Sequence, residues 1–206
     1  MTVEPVAYYH GGFSSKFGIP RQSGLVPGIS GRVVFKEPFG REEYLRGLEG
    51  FGMVWLIWGF SASGPSRSAT VRPPRLGGNE RLGVWATRSP FRPNPIGLSA
   101  VKILSVDAAQ GEIHVGGADL MDGTPIYDVK PYVPYADAFP DAASGFVSGA
   151  PKPCLKVVGT DDPVLRGILE LDPRPAYQDD PERIYGMEYG GKDIRFKVVG
   201  DTLFVL

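Results

Sequence analysis

Cysteine and histidine are scarce in this chain of 206 residues, which has one cysteine, Cys154, and two histidines, His10 and His114. A single cysteine excludes an intrachain disulfide and a zinc site built on cysteines, and it favours a reducing compartment. The two histidines are isolated in the sequence and form no pair at metal-ligand spacing. We therefore expect a protein without a metal centre.

Long apolar runs and an excess of charge are also missing. The longest apolar run, residues 53–60, is far too short to span a bilayer, and the N-terminal residues do not resemble a targeting signal. We therefore expect a cytoplasmic protein that does not associate with membranes. The formal net charge is -1, so contact with a nucleic acid would require local basic patches.

The common nucleotide-binding motifs are absent as well. No Gly-x-Gly-x-x-Gly turn follows a predicted strand, and the sequence has neither a Walker loop nor a Gly-x-Ser-x-Gly elbow. Residues 47–52 are rich in glycine, but they lead from a predicted helix into a strand, which is the reverse of a dinucleotide-binding turn. This argues against a Rossmann enzyme.

Glycine and proline, by contrast, are abundant, with 28 and 20 residues and no repeat period. Such a composition predicts many turns between short strands. Residues 53–60 predict a buried strand, and residues 96–106 and 112–115 predict an antiparallel pair. We also predict a helix over residues 41–48 and a strand over residues 81–86. The fold is therefore expected to be mainly β, with a barrel or a strongly curved sheet.

A change in composition suggests two domains. Residues 136–153 are rich in Gly, Ser, Pro and Ala and show little periodicity, so we predict a boundary there. The predicted domains are residues 1–150 and residues 151–206.

The second domain has signals for one helix and one hairpin. Asp161 or Asp162 can cap a helix whose first turn holds Pro163. Apolar and charged residues alternate over residues 194–198, and residues 200–201 form a turn signal. We predict a small α+β domain.

The most distinctive segment is residues 88–99, Arg-Ser-Pro-Phe-Arg-Pro-Asn-Pro-Ile-Gly-Leu-Ser. Each proline removes a backbone N–H and favours an extended residue before it, so residues 88–95 form neither a helix nor a central strand. A stiff loop presents Arg88, Arg92 and Asn94 with little entropy to lose on binding an anionic ligand. The alternative is a surface connection with solvated arginines.

A second dense segment, residues 119–132, holds three carboxylates, one ammonium and two phenols. The sequence after Asp122 is a turn signal, so an ordinary hairpin is an alternative for this residue. Asp128 could simply pair with Lys130. A metal-dependent hydrolase built on Asp119, Asp122 and Asp128 is a further alternative, although no calcium-loop pattern supports it.

Four segments of the chain resemble the TrmO family, which is also called TsaA-like or YaeB-like. They are residues 16–22, 86–99, 119–132 and 172–177, and the resemblance covers nearly the whole chain. It implies a single-sheeted β-barrel methyltransferase that uses S-adenosylmethionine and works as a homodimer. The implied reaction is N-methylation of threonylcarbamoyl adenosine at position 37 of tRNA.

The resemblance also implies a cofactor pocket. Its members come from the early loop, from the residues after the core strand, from the proline loop and from the aspartate turn: Pro20, Arg21, Gln22, Ser61, Ala62, Arg88, Leu98, Asp119, Leu120, Met121 and Asp122. At Ser61 and Ala62 the family is expected often to have a histidine, so the contact here would come from the backbone.

Methyl transfer depends mainly on positioning, but a carboxylate or phenol can accept the proton that leaves the acceptor nitrogen. Asp128 and Tyr132 are the catalytic candidates. The substrate-binding candidates are cationic, polar or aromatic: Arg92, Asn94, Lys130, Arg174 and Tyr177. A module that binds RNA without catalysis is the alternative function, because basic and aromatic side chains also suit RNA contact.

Overall fold

The computed structural model describes residues 2–147, 149–175 and 180–206. In this part of the chain there are twelve strands and three α-helices. The strands are β1 (Ala7–Gly11), β2 (Ser30–Phe35), β3 (Met53–Gly59), β4 (Thr70–Val71), β5 (Leu82–Gly83), β6 (Ile96–Asp107), β7 (Glu112–Gly116), β8 (Thr124–Pro131), β9 (Lys156–Val158), β10 (Tyr185–Tyr189), β11 (Lys192–Val199) and β12 (Thr202–Val205). The helices are α1 (Glu42–Leu45), α2 (Pro134–Asp137) and α3 (Pro163–Glu170).

Six of these strands close into a barrel in the order β1-β2-β7-β6-β3-β8. All of its neighbouring strands are antiparallel. The predicted pair, β6 and β7, is confirmed, and so are the mainly β fold and the barrel.

Alternation along β3 sets the two faces of the barrel wall. Val54, Leu56 and Trp58 are buried in the barrel core, while the residues between them lie on the outer face. In β6, Ser99 is opposite Leu56 and is buried, whereas Leu98 is 55% exposed. The side chains of neighbouring residues in one strand therefore lie on opposite faces of the barrel wall.

Two predicted elements differ from the structure. The helix predicted over residues 41–48 is only the short α1, because Arg46 leaves the helical conformation (ψ 124°) and the left-handed Gly47 (φ 89°) then turns the chain. The strand predicted over residues 81–86 is also wrong in length. Only β5 pairs with β4, and Val84–Ala86 is a 3-10 helix whose Val84 carbonyl accepts from the backbone N–H and the hydroxyl of Thr87.

The C-terminal strands form a second sheet in the order β10-β11-β12-β9. Helix α3 begins as predicted, because the Asp162 carboxylate caps it by accepting from the backbone N–H groups of Val164 and Leu165. The hairpin between β11 and β12 is also confirmed. Strands β9 and β10 have no counterpart in the prediction.

The core of this module includes side chains from the N-terminal region. Phe13, Val26 and Ile29 pack with Leu169 of α3 and Phe196 of β11 in one apolar cluster. The segment between β1 and β2 therefore connects the barrel to the C-terminal sheet. The domain limits, residues 1–150 and 151–206, stay a prediction.

In the described part of the chain, no helix has the length and apolar character that crossing a membrane requires.

Candidate functional site

One end of the barrel collects most of the predicted cofactor residues. At this end β1, β3 and β7 finish, and β2, β6 and β8 begin. The connection from β7 to β8 runs across it and carries Asp119 and Asp122. We call this end the Asp119 rim.

A buried hydrogen-bond relay holds the carboxylate of Asp119. Trp58 Nε1 donates to Ser99 Oγ over 3.0 Å, and Ser99 Oγ donates to Asp119 Oδ1 over 2.6 Å. Burial raises the pKa of Asp119, while the hydrogen bond from Ser99 and the positive charge of Arg88 oppose the increase. The relay therefore stabilises a carboxylate that is partly shielded from water.

A glycine in β6 makes room for this relay. A Cβ atom at Gly97 would lie 2.3 Å from Cε2 of Trp58, so any side chain there would displace the indole. Sequence reasoning missed Trp58 and Ser99 as site residues. The signal was available, because Gly97 and Ser99 alternate with apolar residues at the start of β6, at positions that share its inner face.

Asp122 lies at the same rim but is more exposed. Its Oδ1 accepts from the backbone N–H of Gly11 over 3.1 Å and lies 3.1 Å from His10 Nδ1. The backbone N–H of Asp122 donates to the carbonyl of Phe13 over 2.7 Å. The turn that carries Asp122 is thus fixed to the end of β1.

Tyr9 is a second residue that sequence reasoning missed. Its ring is fully buried, and its hydroxyl has no hydrogen-bond partner among residues 2–147, 149–175 and 180–206. Burial raises the pKa of Tyr9, and the negative charges of Tyr189, Asp119 and Asp122 raise it further. The phenol is therefore neutral. It lies close enough to both rim carboxylates for their negative charges to raise its pKa.

Arg88 brings the proline loop to this rim. Its Nη1 donates to Gln22 Oε1, and Gln22 Nε2 donates to the carbonyl of Arg21 over 2.5 Å. The backbone of Ser23 also opposes the increase in the pKa of Asp119. The structure thus joins Gln22, Arg88 and Asp119, three residues that are far apart in the sequence.

Other predicted cofactor residues are placed less directly. Leu120 is buried in the barrel core, and the carbonyl of Met121 accepts from the hydroxyl of Thr124. Ser61 and Ala62 are exposed in the loop that follows β3 at the same rim. The side chain of Leu98 points to the outer face of the wall, opposite to Ser99.

Pro20 and Arg21 lie just outside the rim. They line a cleft between the early loop and the C-terminal module, where Pro20 is buried and Arg21 is exposed. The structure thus separates these two residues from Gln22, which faces Arg88.

The catalytic candidates lie on the outer face of the barrel, not at the Asp119 rim. Asp128 is opposite Ile57 of β3, and its Oδ2 lies 2.9 Å from Nζ of Lys130. Tyr132 packs against Trp55 with 5.4 Å between ring centroids, and its backbone N–H donates to Met53 at the far end of β3. Within one chain the barrel wall separates these residues from Asp119.

The substrate candidates of the proline loop have different roles in the loop itself. Arg92 donates from Nη1 to the carbonyls of Thr87 and Ser89, and its guanidinium lies 5.5 Å from the ring centroid of Trp85. It therefore braces the loop. Asn94 is exposed, and its backbone carbonyl accepts a hydrogen bond from the backbone N–H of Ile96.

Of the two C-terminal candidates, the structure describes Arg174, which lies at the cleft. Arg174 is nearly buried, and its Nε and Nη2 each donate to one oxygen of Asp172 over 2.9 Å. Tyr177 lies outside the described residues. Tyr185 of β10 is buried and stacks on Phe196 inside the C-terminal core.

The geometry also bears on the metal alternative. In residues 2–147, 149–175 and 180–206, no group of three His, Cys, Asp or Glu side chains is arranged to hold a metal ion. Asp128 faces away from Asp119 and Asp122, so the three carboxylates do not converge.

Comparison with known proteins places the chain in a family. The sequence pattern of the tRNA-methyltransferase O N-terminal domain matches residues 8–138, and that of the TrmO C-terminal domain matches residues 161–206. The chain is 36% identical over 227 residues to an Escherichia coli protein named tRNA (adenine(37)-N6)-methyltransferase, covering 98% of this chain and 96% of the relative. It is 42% identical over 214 residues to a Pseudomonas aeruginosa protein, RcsF, whose name describes an S-adenosylmethionine-dependent methyltransferase, covering 95% and 91%.

The fold agrees with a solved structure of the same group. A crystal structure of TrmO from Pseudomonas aeruginosa superposes with a TM-score of 0.83 at 34% identity, covering all of this chain and 96% of that one. The matched patterns span both the barrel and the C-terminal module. This chain therefore belongs to the tRNA-methyltransferase O family.

Proposed function

We propose that this chain methylates N6 of threonylcarbamoyl adenosine at position 37 of tRNA. The broader activity follows from family membership: it is a tRNA adenine-N6 methyltransferase that uses S-adenosylmethionine. The preference for the threonylcarbamoyl group is the new part of the proposal. One observation carries it furthest, namely that the Asp119 rim joins two carboxylates and a guanidinium beside a stiff loop with exposed aromatic rings.

The donor set at the rim fits S-adenosylmethionine. The cofactor has a sulfonium and an ammonium group, which need negative partners, and a carboxylate, which needs a positive one. Asp119 and Asp122 provide the negative charges, and Arg88 provides a guanidinium that can bind a carboxylate with two parallel hydrogen bonds. When bound, S-adenosylmethionine supplies the methyl group on an electrophilic sulfonium.

The residues of the rim bind and orient the cofactor, and they form no bond with the methyl group themselves. Asp119 is fixed by Ser99, and Asp122 is fixed by the backbone of Gly11, so neither carboxylate needs to reorganise when a cation binds. Gln22 orients the guanidinium of Arg88. Preorganised charges of this kind contribute more in a site that is shielded from water.

The proline loop provides a surface for the modified base. Trp85 is 73% exposed and Phe91 is 52% exposed, and Arg92 braces the loop against the Trp85 ring. An unstacked base can lie against such rings. Asn94 and Lys130 are the groups that would meet the threonyl carboxylate, and this contact would favour the modified adenine over the plain one.

We further propose that the chain works as a homodimer through the outer face of the barrel. Ile96 and Leu98 of β6 are 47% and 55% exposed there, beside Trp55 and Ile57 of β3. A second copy would bury this apolar surface. Asp128 shares the same outer face, so it would reach the rim of the second copy and not that of its own chain.

In that arrangement the carboxylate of Asp128 would accept the N6 proton when the methyl group moves from the cofactor sulfur to N6, with the S–CH3 bond broken and the N–CH3 bond formed. Asp128 is held by Lys130 at 2.9 Å, so Lys130 must turn away from it, for example towards the threonyl carboxylate. Tyr132 would then support Trp55 at the edge of the interface and not exchange a proton itself.

Methyl transfer to two tRNA pools tests the proposal. The pools carry or lack threonylcarbamoyl adenosine and are otherwise matched, and label is followed from S-adenosylmethionine. We expect label only in the modified pool. Equal labelling of both pools would contradict the substrate preference, and tRNA binding without cofactor binding would support the non-catalytic RNA-binding alternative.

A further inference from the structure

A cleft with a volume of about 840 Å³ lies beside the Asp119 rim, where the early loop meets the C-terminal module. One wall is the loop over residues 16–21 and another is the end of α3 with residues 171–174. Residues 149–152, which precede the C-terminal sheet, form a third wall.

The charges that line this cleft are strongly biased. Five of the lining residues are cations, and they come from four separate segments: Lys16, Arg21, Arg75, Lys152 and Arg174. Among the described lining residues the only carboxylate is Asp172, which forms a bidentate pair with Arg174, so the lining side chains carry five positive charges and one negative charge, a net +4. The whole chain has a net charge of -1, so this concentration of positive charge is local.

The walls of the cleft are held in place. Phe17 and Ile19 pack against the C-terminal core, which fixes the early loop. Arg75 Nη1 donates to the carbonyl of Gly149 over 2.8 Å and so ties two walls together. The cations are therefore presented by a preformed surface, which lowers the entropy lost when an anion binds.

The same loop connects the cleft to the cofactor residues. Arg21 lines the cleft, and the next residue, Gln22, accepts a hydrogen bond from Arg88 at the rim. A polyanion held in the cleft would thus lie close to the predicted cofactor residues. No other part of the mechanism described above uses Lys16, Arg75 or Lys152.

We infer that this cleft binds the sugar–phosphate backbone of the tRNA substrate, away from the nucleotide that is methylated. The inference rests on the proposed function, because it takes the polyanion to be the tRNA. Lysine and arginine contacts to phosphates position an RNA without reading its sequence, and they make its affinity depend on salt. The cleft would therefore contribute to affinity and register but not to the choice of base.

Charge reversal at the two lysines tests the inference. Lys16 and Lys152 are exposed, so the double variant Lys16→Glu/Lys152→Glu should fold, and unchanged binding of S-adenosylmethionine would verify this. The matched control is Lys36→Glu, an exposed lysine just after β2, at the end of the barrel opposite to the Asp119 rim. All variants are measured with tRNA that carries threonylcarbamoyl adenosine.

We expect the double variant to raise the KM for tRNA about tenfold while kcat at saturating tRNA stays near that of the wild type. The slope of log affinity against log salt should become shallower by about 1 to 2, since about one phosphate contact is lost per lysine. Lys36→Glu should change neither quantity. A double variant that behaves like Lys36→Glu would overturn the inference.

The two proposals fail in different ways. If the wild type methylates tRNA without regard to threonylcarbamoyl adenosine, the proposed substrate preference is wrong, while a loss of tRNA affinity in the double variant would still support the cleft. If the wild type shows the preference but the double variant keeps its tRNA affinity, only the cleft is wrong.

Discussion

Asp119 and Asp128 belong to the same chain but lie on opposite sides of the barrel wall. Asp119 is held from inside by Ser99 and Trp58, and its neighbours leave little room for change. Asp128 lies on the outer face, where its partner Lys130 is exposed. The carboxylate of Asp119 belongs to a site that is already formed within one chain. The carboxylate of Asp128 would become part of a site only if another molecule packed against the outer face.

The difference between the two sides is one of preorganisation. A carboxylate fixed by buried hydrogen bonds binds a cation with little reorganisation, and removing its partners leaves polar groups unsatisfied. An exposed ion pair is screened by water and contributes little to stability. Changes on the inner side should therefore affect both folding and cofactor binding, and changes on the outer side should affect neither.

The largest expected effect comes from filling the space beside Trp58. Gly97→Ala places a Cβ atom 2.3 Å from the indole, so we expect a loss of stability of about 2–3 kcal/mol. Urea unfolding measures it. Gly83→Ala is the control, because no atom lies within 4 Å of its added Cβ and its φ of -56° suits alanine. Equal stability of the two variants would show that the inner side is not tightly packed.

Removing the central hydroxyl of the relay should have the next largest effect. Ser99→Ala deletes a hydrogen bond to a carboxylate, and such bonds contribute about 1.5–3 kcal/mol. We expect the affinity for S-adenosylmethionine to fall at least tenfold, as measured by calorimetry. Ser105→Ala, at an exposed position of the same strand, is the control and should bind like the wild type.

The same variant makes a prediction about pH. Burial raises the pKa of Asp119 and Ser99 opposes the increase, so Ser99→Ala should raise this pKa further. Because the cationic cofactor needs the ionised carboxylate, affinity should fall as the pH decreases through the pKa of Asp119. In Ser99→Ala this fall should begin at a higher pH. Identical pH profiles of Ser99→Ala and the wild type would mean that Asp119 does not contribute to cofactor binding.

Asp119→Asn should be more stable than the wild type at neutral pH. A carboxyl group whose pKa is raised by folding adds stability below its ordinary value of 3.8 and loses it as the pH rises through the folded value. At pH 7 the charge on this carboxylate is therefore unfavourable, and its removal should raise Tm. The gain should shrink as the pH falls. A lower Tm at pH 7 would contradict this account of the relay.

The smallest effect is expected on the outer side. Asp128→Asn should leave Tm and cofactor affinity unchanged, because the ion pair with Lys130 is exposed and an asparagine oxygen can still accept from the backbone N–H of Val129. The Asp128 carboxylate raises the pKa of Lys130 through its hydrogen bond, so the lysine pKa should decrease in the variant, which NMR titration can follow. A clear loss of stability would mean that Asp128 is not an isolated surface group.

The barrel could be predicted from local patterns because its strands carry them. The apolar run of β3, the β6–β7 pair and the Asp162 cap each follow from residues close together in the sequence. The 3-10 helix at Val84–Ala86 could not, since it depends on a hydroxyl bond from Thr87 that competes with strand pairing.

The candidate site was predicted only in part, for a related reason. The polar segments over residues 88–99 and 119–132 indicate which residues could bind ligands or react. They do not indicate on which side of the barrel wall each residue lies. A bulge in β8 between Ile126 and Asp128 changes the alternation there, so simple counting along the strand fails. The relay through Trp58 and Ser99 joins β3, β6 and the turn after β7, and such contacts appear only when the barrel closes.

Calorimetric titration of S-adenosylmethionine into Asp119→Ala and Asp128→Ala tests the central claim most directly. The account predicts that Asp119→Ala loses at least about tenfold in affinity, since a buried charged partner is removed. It predicts that Asp128→Ala binds like the wild type. Wild-type affinity in Asp119→Ala, or a loss confined to Asp128→Ala, would contradict the assignment of the cofactor to the Asp119 rim.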